Sequence, residues 1–481
     1  MLQRCDKFDL VSLLNPIVRE IDRNTLSAAD TQMRQYDQKT LVPVQLVGPP
    51  GTTLPKVYRY GFAGQPLVVP SAGKAGAESE MEHAKGFARV ALVVPHLGPG
   101  GAQRVIATAA NELARRGLDV HVITILDCPG NAYELNPRVR WHKRGAPPIS
   151  AERSFSKGKH IPAVAPKRES RTAEVPRASA LRRFLSLLTF GFVMHSRALW
   201  LRRRLREINP GAALSFLTQT NILTILATRG LGIRTVISER NDLRLQKHRR
   251  RVEVLRKATY RWADCVTANS HGAVSAMAGF VPADKLAFLP NPLPAHDNGA
   301  AVEFGAPTFI TVTRLVEQKG LDVLLRACAK AFPALPSWRL AIVGDGPLRE
   351  ELERFADQLR IADRIEWIGH VKDPVPFLRG AEFFVLTSRF EGSPNALLEA
   401  MAAGLPAVVS DASPGPIELI GGAEAGMVVP VENIDATSEA IVQLAQDADL
   451  RKRLGDAAKD RTSGHQLENA MQTWLNILNR R

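Results

Sequence analysis

Residues 88–126 read ARVALVVPHLGPGGAQRVIATAANELARRGLDVHVITIL, and this stretch decides the fold class. ARVALVVPHL is a short apolar run rich in Val, the composition of a parallel strand buried on both faces. GPGGAQR follows as a Gly-rich turn (Gly98 to Arg104). VIATAANELARRG then sets its apolar residues at helical spacing and stops at Gly117. LDVHVITIL is a second apolar run. Strand, Gly-rich turn, helix, strand is the opening of a doubly wound α/β domain.

Outward from there, the alternation continues. Residues 143–180 are polar, basic and Pro-containing, which reads as a long loop. LRRFLSLLTFGFVMHSRALWLRRRLREINP then predicts one or two helices with Arg clusters at both ends. AALSFLT, a helix from about Asn221, TVISER, a basic helix from about Leu243 to Trp262, and DCVTANS follow in order. The run Asn291-Pro292-Leu293-Pro294 and the Asn298-Gly299 turn place a domain boundary near 290–303. Beyond it the architecture repeats. TFITVTRL, WRLAIVGDG, RIEWIGHV, AEFFVLTS and PAVVSDA read as strands; LDVLLRACAKAF, PLREELERFADQLRI and ALLEAMAAG read as helices, the last stopped by Gly404 and Pro406. Two doubly wound domains in tandem put a cleft at the carboxyl ends of their strands, where ligands bind. The predicted divisions are an extension over 1–86, a first Rossmann-like domain with a basic insertion over 87–298, a second Rossmann-like domain over 299–462, and a helix over 463–481 packing back on the first domain. Upstream of Ala88, turns such as VGPPGTTLP and SAGKAGAESE with weak periodicity predict an extension that is partly ordered at best.

With 481 residues, 45% hydrophobic and 23% charged, the chain is a globular protein of two or more domains, not a disordered one. Its net charge of +15 is uneven. From Arg138 to Trp262 there are 29 Lys/Arg and 7 Asp/Glu, a net of +22, which leaves −7 for the remainder. Such a block suggests an anionic partner. The four cysteines, Cys5, Cys128, Cys265 and Cys328, are far apart and fit neither a disulfide scaffold nor a zinc site. The N-terminus carries acids within its first ten residues and does not read as a secretory signal. The longest apolar stretch, Phe184 to Met194, has 11 residues, short of the roughly 18 that span a bilayer.

Several residues carry candidate chemistry. In VTRLVEQKG, Arg314 and Lys319 leave a strand's carboxyl end, two cations suited to a diphosphate. Taken alone they also read as solvated surface cations. In SRFEGSPNALLEAMAAG, Glu391 lies in a loop and Glu399 eight residues on, inside an otherwise apolar helix. Gly392, Ser393, Pro394 and Asn395 open that helix, whose first turn offers free N–H groups to an anion. Gly344-Asp345-Gly346-Pro347 is a tight turn, structural or part of a site. Ser238-Glu239-Arg240-Asn241-Asp242 ends the strand that TVISER begins, five polar residues suited to orient an acceptor hydroxyl; loop polarity alone would also produce them.

Together these segments resemble the retaining family-four glycosyltransferases of the two-domain GT-B fold. The resemblance covers roughly 88–465 and is most specific over 308–432. There TVTRLVEQKG, LAIVGDGPLREELE, IEWIGHV, FVLTSRFEGSPNALLEAMAAGLPAVVSD, PGPIELI and GMVVP follow in order. It implies transfer of a hexose or N-acetylhexosamine from a nucleoside-diphosphate donor, UDP favoured, with retained configuration, no metal and no cofactor. It also implies roles. Arg314 and Lys319 hold the diphosphate, Glu391 the donor sugar and Glu399 the ribose. Gly392, Ser393, Asn395, Ala396 and Leu397 supply backbone around sugar and phosphate. His370 lies at the base-binding edge; Gly100, Gly101 and Gly344 approach the donor. Arg314, Lys319 and Glu391 form the catalytic set, and Glu239, Arg240 and Asn241 the acceptor side. The chain departs from the family in having Ser238, Glu239 and Arg240 where many members carry a His. SFLTQTN, SERND and PGPIELI resemble the subset acting on lipid-linked or surface polysaccharides, such as lipopolysaccharide and exopolysaccharide enzymes.

The expected acceptor is therefore a lipid-linked or surface glycan. The expected location is cytoplasmic, peripheral at the inner face of a membrane, with the basic block toward anionic lipid. The segment 181–208 reads either as an interfacial element or as a core helix pair with exposed Arg. A nucleic-acid-binding protein is the rival from another class. It fits the pI of about 9.9 but finds no interleaved aromatics and no helix-turn-helix or zinc motif. An inactive sugar-nucleotide-binding module and an epimerase are further alternatives.

Overall fold

The computed structural model describes residues 88–126, 132–144, 180–246, 248–294 and 299–480. The predicted extension over 1–86 and most of the predicted loop over 143–180 lie outside the described residues. Gly86–Arg481 form one compact unit.

The first lobe runs β1 (Arg89–Val94), α1 (Gly101–Arg115), β2 (Asp119–Thr124), β3 (Arg140–Lys143), α2 (Ala180–Ile208), β4 (Ala212–Phe216), α3 (Thr218–Thr228), β5 (Arg234–Glu239), α4 (Arg250–Tyr260), β6 (Cys265–Ala268), α5 (His271–Ser275) and β7 (Leu286–Phe288). Its strands form one parallel sheet in the order β3-β2-β1-β4-β5-β6-β7. The Val-rich run of β1 is an interior strand, between β2 and β4, and is buried from Val90 to Val94. A strand covered by helices on both faces has no solvent side, so its sequence is continuous rather than alternating.

The second lobe runs β8 (Thr308–Val312), α6 (Leu321–Ala331), β9 (Arg339–Val343), α7 (Arg349–Gln358), β10 (Ile365–Gly369), α8 (Val375–Gly380), β11 (Phe383–Leu386), α9 (Asn395–Ala402), β12 (Ala407–Ser410), α10 (Pro414–Ile420), β13 (Gly426–Val429), α11 (Ile434–Gln446) and α12 (Ala448–Asp460). Its parallel sheet has the order β10-β9-β8-β11-β12-β13. Leu321, Leu324, Leu325 and Cys328 recur at helical spacing on α6 and join Phe309, Phe383, Ile441 and Leu444 in one core. The Phe309 and Phe383 rings stack at 5.0 Å.

Both sheets reverse direction beside their first strand, between β1 and β4 and between β8 and β11. That reversal opens a crevice at the strands' carboxyl ends, so each lobe presents its switch point to a ligand. The last helix, α13 (Leu467–Asn479), leaves the second lobe and enters the core of the first. Met471, Trp474 and Leu478 fall on one face of it. Trp474 packs its ring 5.8 Å from Phe216, and its indole N–H donates to the Pro290 carbonyl at 2.9 Å.

Of the one or two helices expected after 180, the structure has one, of 29 residues. The basic helix begins at Arg250, not Leu243. The Asp242 carboxylate accepts from the Arg244 N–H at 2.9 Å and holds a turn, and Arg249 is extended with ψ 139°. Strands β3 and β7, RWHK and LAF, escape the sequence reading because they are short edge strands without a buried apolar run. Among the described residues, no helix is long and apolar enough to cross a membrane.

Candidate functional site

The second lobe supplies most of the charged groups. The loop after β8 carries Thr313 and Arg314, and Arg314 is exposed. Gly344, at φ +132°, lets the loop after β9 lie against it; a Cβ there would stand 1.8 Å from the Thr313 carbonyl oxygen. Lys319 closes a short turn before α6. Its ammonium donates to the Glu391 carboxylate, which arrives from the loop after β11. The Ser388 hydroxyl donates to the same carboxylate oxygen at 2.7 Å, and the Glu391 N–H donates to Ser413 Oγ at 3.1 Å. Both charged side chains are largely enclosed, 15% exposed for Lys319 and 8% for Glu391. The cation and the two glutamate-loop residues thus meet at the β8/β11 switch point, as the order of the elements requires.

Helix α9 begins at Asn395 and points its first turn at the other lobe. Asn395 donates to the Gly101 carbonyl at 3.0 Å. Asn291, in the linker between lobes, donates to the Ser393 carbonyl at 2.9 Å and to Asn395 Oδ1 at 2.6 Å. Gly392 lies against the first lobe so closely that a Cβ would stand 2.2 Å from the Arg240 carbonyl oxygen. Glu399, one turn further along α9, pairs with Arg104 of α1 at 2.8 Å. Burial pushes the Glu399 carboxyl up, and Arg104 opposes that shift. Ala396 is half-buried and Leu397 is buried in the second lobe's core.

On the first lobe, Gly100 and Gly101 start α1. His96, in the same loop, is lowered from its usual range by burial and then by Arg314 across the cleft. Glu239 is fully enclosed and accepts from the Thr218 hydroxyl at 2.9 Å and from the Tyr260 hydroxyl. Its carboxyl is raised by burial. Arg240 is also enclosed, donates to Asn291, and lies 4.1 Å from the Phe216 ring centre. Burial lowers it to about 9. Two of the three residues assigned to the acceptor side are therefore held by the protein's own groups, and Asn241 is half-buried. His370 is exposed at the end of β10.

Four cleft-lining polar atoms are buried without a partner: Thr313 Oγ1, Ser393 Oγ, Glu399 Oε2 and Asn269 Oδ1. Buried polar groups are normally satisfied, so these four are open to a water or to a ligand hydroxyl. Among the described residues, no three His, Cys, Asp or Glu side chains gather to hold a metal ion. Sequence reasoning passed over His96, Arg104, Asn291 and Ser413. Arg104 and His96 flank the Gly-rich turn already singled out; Asn291 and Ser413 carry no local signal, because their roles come from the facing segment.

Comparison with known proteins agrees with this geometry. Residues 299–461 match the family of glycosyl transferases group 1, and residues 100–292 match the glycosyl transferase 4-like domain. The chain belongs to the family-four-like glycosyltransferases of the GT-B fold. A lipopolysaccharide core biosynthesis glycosyltransferase, LpsE of Rhizobium meliloti, is 34% identical over 33% of this chain and 45% of its own. An α-1,4-N-acetyl-D-galactosaminyltransferase of Campylobacter jejuni, named for a diphospho-undecaprenol glycan acceptor, is 26% identical over 58% of this chain and 77% of its own. The sucrose-phosphate synthase of Thermosynechococcus elongatus shares the fold, with TM-score 0.62, 16% identity, 80% of this chain and 97% of that one. Against three curated relatives the chain spans 20%, 57% and 45% of their length. Both glutamates and both cations of this GT-B chain lie on the second lobe, and the first lobe reaches them through Gly101, Arg104 and Asn291.

Proposed function

We propose that the protein transfers a hexose or N-acetylhexosamine from a nucleoside-diphosphate sugar to a lipid-linked or surface glycan, with retention of configuration and without a metal. UDP is the favoured carrier. The observation that supports this most is the Lys319–Glu391 pair at the β8/β11 switch point, with Arg314 on the loop after β8 and the first turn of α9 following the Glu391 loop. Charge develops on the leaving diphosphate. Arg314, Lys319 and the N–H groups of Ser393, Asn395 and Ala396 stabilise it, the part a metal plays elsewhere. The acceptor hydroxyl attacks from the face the diphosphate leaves, and a leaving phosphate oxygen takes its proton. Gly392, Asn395 and Asn291 hold the lobes together over the donor, which excludes water.

The Campylobacter relative's named acceptor supports a lipid-diphosphate-linked glycan. The basic block supports an anionic membrane surface beside it, at the cytoplasmic face. Helix α2 contributes Phe192, 74% exposed, and Leu199, 38% exposed, one heptad apart on a helix that also carries Arg203. The deciding experiment is a panel of nucleotide sugars scored by thermal shift and by transfer, with the product anomer read by NMR and a chelator present. A donor raises the melting temperature by linkage. If no nucleotide sugar shifts the melt or reacts, the reading is wrong.

A further inference from the structure

We propose that Arg104 is a positioning residue: it keeps Glu399 a charged acceptor for the donor's ribose and thereby ties nucleoside binding to the closed arrangement of the two lobes. The inference rests on the donor site proposed above.

The geometry carries it. Glu399 is 2% exposed on α9, and its cation comes from the opposite lobe. Arg104 Nη1 engages Oε1 at 2.8 Å, while Oε2 is buried with no partner. One oxygen is thus spent on the neighbouring lobe and the other is open. Glu399 lines, with Arg104, Thr108, Pro292 and Asn395 among others, a cavity of about 10 Å³, the room of a single water or hydroxyl. An acceptor-only group facing a cavity suits a hydroxyl donor, and a ribose offers two. Glu399 accepts such a hydroxyl without releasing Arg104.

The charge on Glu399 depends on that contact. Burial favours the neutral carboxyl, Asp373 favours it further, and Arg104 opposes both. Without Arg104, a carboxyl this enclosed keeps its proton to higher pH, as unpaired buried glutamates do up to about pH 8–9. The acceptor form is then present only above that raised value and is lost as pH falls. Because Arg104 belongs to α1, the charge also depends on the lobes being together.

The test compares donor KM and kcat of the full chain across about pH 6 to 9 for wild type, Arg104→Gln and Arg104→Lys. Each uses the donor from the panel and its 2′-deoxy and 3′-deoxy ribose analogues. Wild type is expected to bind a deoxyribose donor about ten- to hundredfold more weakly, the worth of a hydrogen bond to a charged group. R104Q is expected to raise donor KM by a similar factor, more than it lowers kcat, with KM climbing steeply toward low pH and ribose discrimination lost. R104K is expected to return the profile toward that of wild type. If R104Q melts below the assay temperature, the R104Q/E399Q double variant removes the titrating carboxyl and must show a pH-independent KM. An R104Q profile parallel to wild type with discrimination intact overturns the role of Arg104. A wild type indifferent to both ribose hydroxyls overturns the reading of Glu399 itself, a separate failure.

Discussion

Replacing Lys319 by Ala separates two things that the Lys319–Glu391 pair does. For the fold, the change leaves the Glu391 carboxylate 8% exposed and without its cation. Breaking a buried pair on one side costs about 3–5 kcal/mol. The lower end applies here, because the Ser388 hydroxyl still donates to that carboxylate at 2.7 Å. For the chemistry, loss of one preorganised charge at a developing anion costs about 10²–10³ in turnover, roughly 2.7–4 kcal/mol. The two are told apart by a second variant, K319A/E391Q, which removes the stranded charge and is read against E391Q alone, because Glu391 belongs to the catalytic set. The assays are a thermal melt and turnover at saturating donor, on protein shown to be folded at the assay temperature. K319A is expected to lose both stability and turnover. The double variant is expected to recover most of the stability and to turn over about 10² more slowly than E391Q alone. If turnover returns together with stability, Lys319 is only a brace for Glu391, and the reasoning that makes it a charge stabiliser fails.

Gly392→Ala is expected to leave each lobe folded while cutting transfer by about 10², because a Cβ at 2.2 Å from the Arg240 carbonyl oxygen and 2.9 Å from Asn269 Oδ1 must push the lobes apart; wild-type turnover with an unchanged melt would contradict the close approach. The His465 ring is lowered by burial and donates from Nδ1 to the Asn291 carbonyl at 3.0 Å. Above about pH 6.5 both folded and unfolded chains hold it neutral; as pH falls below that, the unfolded chain takes up the proton first and stability is lost down through the folded value. The melting temperature is therefore expected to fall between about pH 7.5 and 5.5, and to fall less in His465→Gln, although His96, His121, His142 and His248, lowered likewise, keep their own share. An equal fall in both proteins would assign the loss elsewhere.

What the sequence by itself determined is what depends on local order. Continuous apolar runs separated by helical periods gave two parallel sheets, since a doubly covered strand has one composition and a surface helix another. The Gly-rich turn before α1 and the segment EGSPNALLEA were legible for the same reason: a strand end, a turn and a helix start are neighbours in the chain. Short edge strands such as RWHK were not legible, because a strand of four residues with no buried run leaves no period to read. Tertiary structure alone decided which charges meet. Lys319 finds Glu391 because β8 and β11 are adjacent in the sheet though 72 residues separate the two side chains. Arg104 finds Glu399, and Asn291 finds Ser393, because the lobes face one another at their switch points. Glu239 and Arg240 sit in a polar run that reads as exposed, yet both are enclosed, by Tyr260 and Thr218 in one case and by Asn291 and Phe216 in the other. Hydrogen-bond partners, burial and the resulting charge state are properties of the surroundings, and in this protein the surroundings of almost every cleft residue come from another part of the chain.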